Sequence, residues 1–125
     1  MRPGMIKFGI AALSMTWLSY PAAAHHSEAM FDKGTTKTLQ GTVKLYQWTN
    51  PHCWIQLLVD SPQGPVEWSI EMQDPRGVYR AGWRPDSLSY GEKLTVVVHP
   101  AWDGKNVVGF VSATASDGHV IGKSP

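Results

Sequence analysis

Between Thr38 and Tyr46 the residues alternate, with Leu39, Gly41, Val43 and Leu45 on one face and Thr38, Gln40, Thr42, Lys44 and Tyr46 on the other. A period of two predicts a half-buried antiparallel strand. Cys53, Ile55, Leu57 and Val59 repeat the pattern, opposed by His52, Trp54, Gln56 and Leu58. Val66, Trp68, Ile70 and Met72 give a third apolar face against Glu67, Ser69 and Glu71. Pro62-Gln63-Gly64-Pro65 between the second and third runs predicts a hairpin connection. Leu94, Val96 and Val98 form a fourth face with Thr95, Val97 and His99 opposite. Asp103-Gly104 then predicts a turn into a strand over 107–111, and Asp117-Gly118 a last turn before a short strand at Val120-Ile121.

One segment breaks the period. Asp74-Pro75 places a capping side chain before a proline at the first helical position, and Pro85 stops the segment, so about two turns of helix are expected there. Arg76, Arg80 and Arg84 recur every four residues on it, the spacing of a solvated helix face or an anion site. Three strands, a short helix and two or three more strands is the order of a small Greek-key barrel of the OB type. The expected fold class is therefore all-β, mainly antiparallel, with one short helix between strands 3 and 4. A plain antiparallel sandwich or meander shares that order.

The first residues do not belong to this pattern. Arg2 and Lys7 precede an apolar run from Phe8 to Leu18, too short to cross a bilayer, and Ala22-Ala23-Ala24 supplies the small residues of a cleavage site. This predicts a signal peptide over 1–24, an N-terminal arm over 25–37 and one barrel domain over 38–125, with no membrane span after processing and a periplasmic location. Processing removes two positive charges and takes the formal balance from +1 to −1. A near-neutral chain predicts no nucleic-acid partner, because nucleic acid wants a clustered basic face. Cys53 is the one cysteine, so no internal disulfide forms, and its apolar phase predicts a buried thiol.

Chemistry concentrates in two places. Cleavage after Ala24 leaves His25-His26 at the start of the chain. An α-amine and an imidazole on one residue chelate a metal together, as a histidine brace. The amine, with a pKa near 8, loses its proton at little cost, and a nitrogen-rich square set suits copper(II). His26, His52 or His99 can supply a third nitrogen, and Met30 a softer donor. The second place is Trp48-Thr49-Asn50-Pro51-His52-Cys53-Trp54, a turn signal between two strands. Trp48, Asn50, His52 and Trp54 there can form a face that grips a small ligand or another periplasmic protein without metal. The alternative for each histidine is a turn cap in solvent. No nucleophile elbow, His-Glu-x-x-His, phosphate-binding loop or Cys-x-x-Cys is present, and no enzyme class is assigned. The expected function is that of an exported binding protein, for copper or for a non-metal ligand or partner.

Several short motifs occur in a linked order across the mature chain. They are His25-His26-Ser27 with Phe31-Asp32, Gly41-Thr42-Val43, Asn50-Pro51-His52, the Trp68 strand, Arg80-Ala81-Gly82-Trp83, Gly91-Glu92 and Asp103-Gly104. In these the chain resembles the exported bacterial domain-of-unknown-function family 6152. The resemblance implies a small exported β-barrel-like domain and no established activity. Where that family carries a small apolar residue after Asn-Pro-His, this chain has Cys53, so a cysteine-dependent role would be particular to it.

Overall fold

The alternating runs form six strands in the computed structural model, which describes residues 29–123. They are β1 (Lys37–Gln47), β2 (Trp54–Val59), β3 (Val66–Glu71), β4 (Lys93–His99), β5 (Val107–Ala115) and β6 (Val120–Lys123). One helix, α1 (Pro75–Arg80), lies between β3 and β4. Asp74 caps it by accepting from the Gly77 amide at 2.7 Å, as the Asp-Pro start predicted. The strand order is β3-β2-β1-β4-β5-β6, and a parallel pairing of β3 with β5 closes the first five into a barrel. Every other pairing is antiparallel. The OB-type barrel is the observed fold.

Closure depends on β1 serving two neighbours. Its first half, Lys37 to Thr42, pairs with β4, and its second half, from Thr42, pairs with β2. Gly41 sits where the halves meet, and a Cβ there would overlap the Leu58 carbonyl and the Leu57 side chain. A side chain at this position would hold β1 and β2 apart, so glycine permits the crossing.

Inside the barrel, Leu39, Val43, Cys53, Ile55, Leu57, Ile70, Met72, Leu94, Val96, Val98 and Val108 are buried together. The period-two reading of β1 fails at one point. The register shifts between Val43 and Leu45, so Lys44 is the extra residue of a β-bulge. A one-residue shift exchanges the faces of everything beyond it. Leu45, expected in the core, is therefore 49% exposed, while Tyr46, expected outside, packs against the core cluster. Lys44, freed from the ladder, reaches over β2 to pair with Glu67 on β3.

Tyr46 leans on Trp83, which is fully buried after α1 and meets Phe110 edge-on at 5.4 Å. This aromatic plug closes the barrel end beneath the helix. Trp68, expected in the core, is only half-buried, with the Lys37 ammonium 4.5 Å from its ring centroid. Glu71, expected on the polar face, is buried.

Candidate functional site

The register brings the β1–β2 loop and the β4–β5 loop to one end of the barrel. Trp54, the first residue of β2, pairs with Glu71, the last of β3. Glu71 in turn pairs with Gly109 on β5, and Gly109 with His99, the last of β4. Neighbouring strands lie about 4.8 Å apart, so this row spans roughly 15 Å. In OB-type barrels ligands are commonly taken by the face of strands 2 and 3 and by these two loops.

The turn before β2 is built by local bonds. The Asn50-Pro51 peptide is cis, and the Thr49 hydroxyl donates to the His52 carbonyl at 2.8 Å. Beyond the strand ends, the Cys53 amide donates to the Gln73 carbonyl and the Met72 amide to the Cys53 carbonyl, both at 2.9 Å. These two bonds extend the β2–β3 ladder and fix the backbone on which His52 stands. Its Nδ1 lies 2.9 Å from the Met72 carbonyl, which can only accept, so Nδ1 carries the proton. That hydrogen bond aims Nε2 at Glu71, whose Oε1 is 3.3 Å away. The Glu71 side chain is 8% exposed and that of His52 23%. Glu71 is the one buried charged side chain among the described residues.

The N-terminal arm, polar in sequence, lies beside it as a seated element. Phe31 bridges to Ala101, the Asp32 amide donates to the Pro100 carbonyl at 2.9 Å, and the Trp102 amide donates to the Met30 carbonyl at 3.0 Å. The Asp32 carboxylate turns the chain by accepting from the Gly34 amide and the Thr35 hydroxyl. The Thr35 carbonyl then accepts from His99 Nδ1 at 2.8 Å. The Phe31 ring lies against Gly109, so close that a Cβ there would meet its Cδ2 at 2.9 Å. Residues 30–35 are thus strapped across the end of β4 and onto β5, next in register to Glu71.

The residues expected to form a site are only partly brought together. His25 and His26 lie outside the described residues. His52 and His99 stand at the same barrel end, each with Nδ1 tied to a backbone carbonyl. Asn50 is exposed at the turn. Trp54 is half-buried on the outer face, whereas Trp48 packs against the core cluster and meets Tyr46 edge-on at 6.3 Å. No group of three or more His, Cys, Asp or Glu side chains suited to a metal occurs among the described residues.

Cys53 faces inward, fully buried. Burial, opposed by a hydrogen bond from the Thr49 backbone and assisted by Asp74, pushes its thiol above the ordinary range. Two residues of this end, Glu71 and Phe31, are not marked as site residues by the sequence. The available signal is Gly109, a glycine inside the Val107–Val111 run, which marks a close approach by another part of the chain.

No curated protein matches this sequence. Among solved structures, the fold resembles that of the mitochondrial single-stranded DNA-binding protein Rim1 of S. cerevisiae. The identity is 8% and the TM-score 0.46, over 71% of this chain and 96% of that one. A likeness at this level does not assign a ligand. The expected exclusion of nucleic acid is not upheld beside a neighbour named as a single-stranded DNA-binding protein. That exclusion read overall net charge alone, whereas a single strand is held by a local basic groove together with base stacking, neither of which net charge reports. The model of DUF6152, a family of unknown function, matches residues 13–110, and the chain belongs to that family.

Proposed function

We propose that this is an exported periplasmic protein, processed after Ala24, which binds copper(II) at the barrel end where His52, Glu71 and His99 lie. The amine and imidazole of His25 grip the ion, with His26 and a barrel histidine, His52 or His99, completing a nitrogen-rich set. The observation that carries this reading is the strap. Docking of residues 30–35 ties the chain to the barrel beside Glu71 and His99. His25 is four chain steps from Ala29, a reach of at most about 14 Å, comparable to the width of the row from Trp54 to His99. The hydrogen bonds of the two barrel histidines also support it. A metal-bound imidazole characteristically donates its other N–H to a carbonyl, which fixes tautomer and ring orientation. His52 and His99 both have that arrangement.

The test is a copper(II) titration of the processed protein, followed by calorimetry and electron paramagnetic resonance. The same protein with one residue added ahead of His25 serves as the control. One-to-one binding with a nitrogen-rich signal, lost in the control, is the expected result. Equal weak binding in both forms refutes the reading. The tryptophan-lined face at Trp54 would then be the site to pursue.

A further inference from the structure

On the outer face of β1, β2 and β3 a strip of polar side chains is linked across all three strands. Leu45 and Gln47 on β1 stand opposite Gln56 and Trp54 on β2, and Gln56 stands opposite Ser69 on β3. The Ser69 hydroxyl donates to Gln56 Oε1 at 2.6 Å, and Gln56 Nε2 donates to Gln47 Oε1 at 3.0 Å. The second bond crosses the diagonal of a four-residue square, so Trp54, half-buried, and Leu45, exposed, hold the other two corners. Because the bonds run in one direction, both amides are oriented. Among the described residues Gln47 keeps two N–H donors, Gln56 keeps one, and the Ser69 hydroxyl keeps its acceptor lone pairs. The strip's own side chains are uncharged, and the charges that border it are paired, Lys44 with Glu67 and Glu71 with His52. On the β5 side Phe31 covers Gly109, the register partner of Glu71, so the seated arm stands as a wall.

We infer that the strip formed by Gln47, Trp54, Gln56 and Ser69 binds an uncharged oligosaccharide. This site is separate from the proposed copper site and needs no metal. Sugar hydroxyls both donate and accept, and the strip offers both kinds of partner in fixed directions. Amide N–H groups lie towards β1 and a hydroxyl oxygen towards β3. A sugar ring also has an apolar C–H face, and the Trp54 indole beside the amides supplies a surface for it. Holding the donors in place beforehand lowers the ordering cost of binding. The strip spans roughly 10 Å from β1 to β3, wider than one sugar ring, so it fits a chain of rings rather than a monosaccharide. A single-stranded nucleic acid needs cations for its phosphates, and the bordering lysine, Lys44, is already engaged by Glu67.

The experiment titrates the 15N-labelled processed chain, with no metal added, with cellotetraose, maltotetraose and N-acetylchitotetraose in turn, each to about 10 mM. At least one of them should shift the Trp54 indole N–H and the Gln47 and Gln56 side-chain amide resonances, with a dissociation constant of about 1 mM or tighter. Trp54→Ala should weaken that binding about tenfold and Gln47→Ala about threefold to tenfold. Tyr90→Ala should leave it unchanged; Tyr90 is 83% exposed ahead of β4 and controls for indiscriminate stacking on any aromatic. No shift with any of the three sugars overturns the inference, and so does binding at full strength in both Trp54→Ala and Gln47→Ala. An oligothymidylate that shifts these resonances where no sugar does overturns it in favour of nucleic acid. Should Trp54→Ala fail to fold, the wild-type spectrum decides: shifts centred on Gln47, Trp54 and Gln56 support the site, and shifts centred elsewhere overturn it.

Discussion

Replacing Gly109 by alanine tests whether the arm is a seated element of the barrel. The added Cβ would meet Phe31 Cδ2 at 2.9 Å, Cγ at 3.3 Å and Cε2 at 3.4 Å. The first of these is a clash, so the ring must move. It cannot slide freely, because the Phe31–Ala101 bridge and the Asp32–Pro100 and Met30–Trp102 bonds hold the backbone on both sides. Either the ring shifts under strain or the strap lifts and exposes Phe31, which is 8% exposed in place. Exposing a phenylalanine costs about 1.5–3 kcal/mol, and that is the ceiling, since lifting is always open to the chain. Gly109 is not among the glycines with positive φ, so alanine itself is not strained there. Relative to glycine it stiffens the unfolded chain, worth about 0.4–1 kcal/mol of stability. Gly109→Ala should therefore cost a net of about 1–2 kcal/mol, and in a Phe31→Ala background, where no ring is met, it should instead stabilise by about 0.4–1 kcal/mol. Urea unfolding of the four proteins of this cycle measures the coupling. Hydrogen exchange at the Asp32 and Trp102 amides reports the strap directly, and both should exchange faster in Gly109→Ala. Equal cost of the alanine in both backgrounds, with unchanged exchange, would refute the seating.

The packing makes three further predictions. Burial holds the Cys53 thiol neutral, and burial, aided by negative charge at Cys53 and Asp86, does the same to the Tyr46 hydroxyl, so the unfolded chain loses these protons first. Stability should be flat below about pH 8 and then fall as pH rises through the unfolded values near 8.5 and 10; Cys53→Ala should delay the onset, and a flat urea midpoint up to pH 11 would contradict this. Deleting Lys44 removes the bulge but keeps Leu45 opposite Gln56 and Tyr46 opposite Ile55, so Tyr46 stays on Trp83 and only the Lys44–Glu67 pair is lost. A loss of no more than about 1 kcal/mol is expected by thermal unfolding, whereas a loss of about 3 kcal/mol or more would show that the barrel needs the bend the bulge supplies. Trp83 Nε1 is buried without a hydrogen-bond partner, which costs about 1–3 kcal/mol. Trp83→Phe therefore offsets lost volume by removing an unpaired donor, and should lie within about 1 kcal/mol of wild type in urea unfolding; a loss of 3 kcal/mol or more would show that the indole nitrogen is satisfied in solution.

How far the sequence could be read depended on the range of the interaction responsible. Strand positions, the Asp74-Pro75 helix start and the hairpin turns are local matters, and all six strands and α1 lie where alternation and turn chemistry put them. The strand order was not legible in the same way, because a plain antiparallel sandwich or meander shares that sequence of elements and only the long-range β3–β5 pairing separates the barrel from them. Leu45 and Tyr46 were misassigned for one cause. A bulge is a property of two strands pairing with unequal lengths, so nothing within β1 marks Lys44 as the extra residue, and every face beyond it was inverted. Trp68 followed the core phase of its strand correctly, but β3 changes neighbours along its length, and Lys37 covers the ring where the barrel interior does not.

Glu71 shows the same limit in the place that matters most. On its strand it alternates as a solvent residue should, between Ile70 and Met72. What buries this end is brought from elsewhere in the chain: His52 from the turn before β2, and Phe31 from an arm forty residues upstream, seated on a glycine thirty-eight residues downstream. Each of those three segments carried its own visible oddity. The turn had a histidine fixed beside Asn-Pro, the arm had an aromatic in polar surroundings, and β5 had a glycine amid valines. Only the parallel β3–β5 pairing, which closes the barrel, brings the three oddities to one row. A stability role for that row needs only Phe31 and Gly109 in contact, and would be met by an uncharged residue at position 71. The carboxylate of Glu71, 3.3 Å from the His52 imidazole, joins the end of β3 to the turn before β2, a pairing across nineteen positions that alternation along either strand does not report.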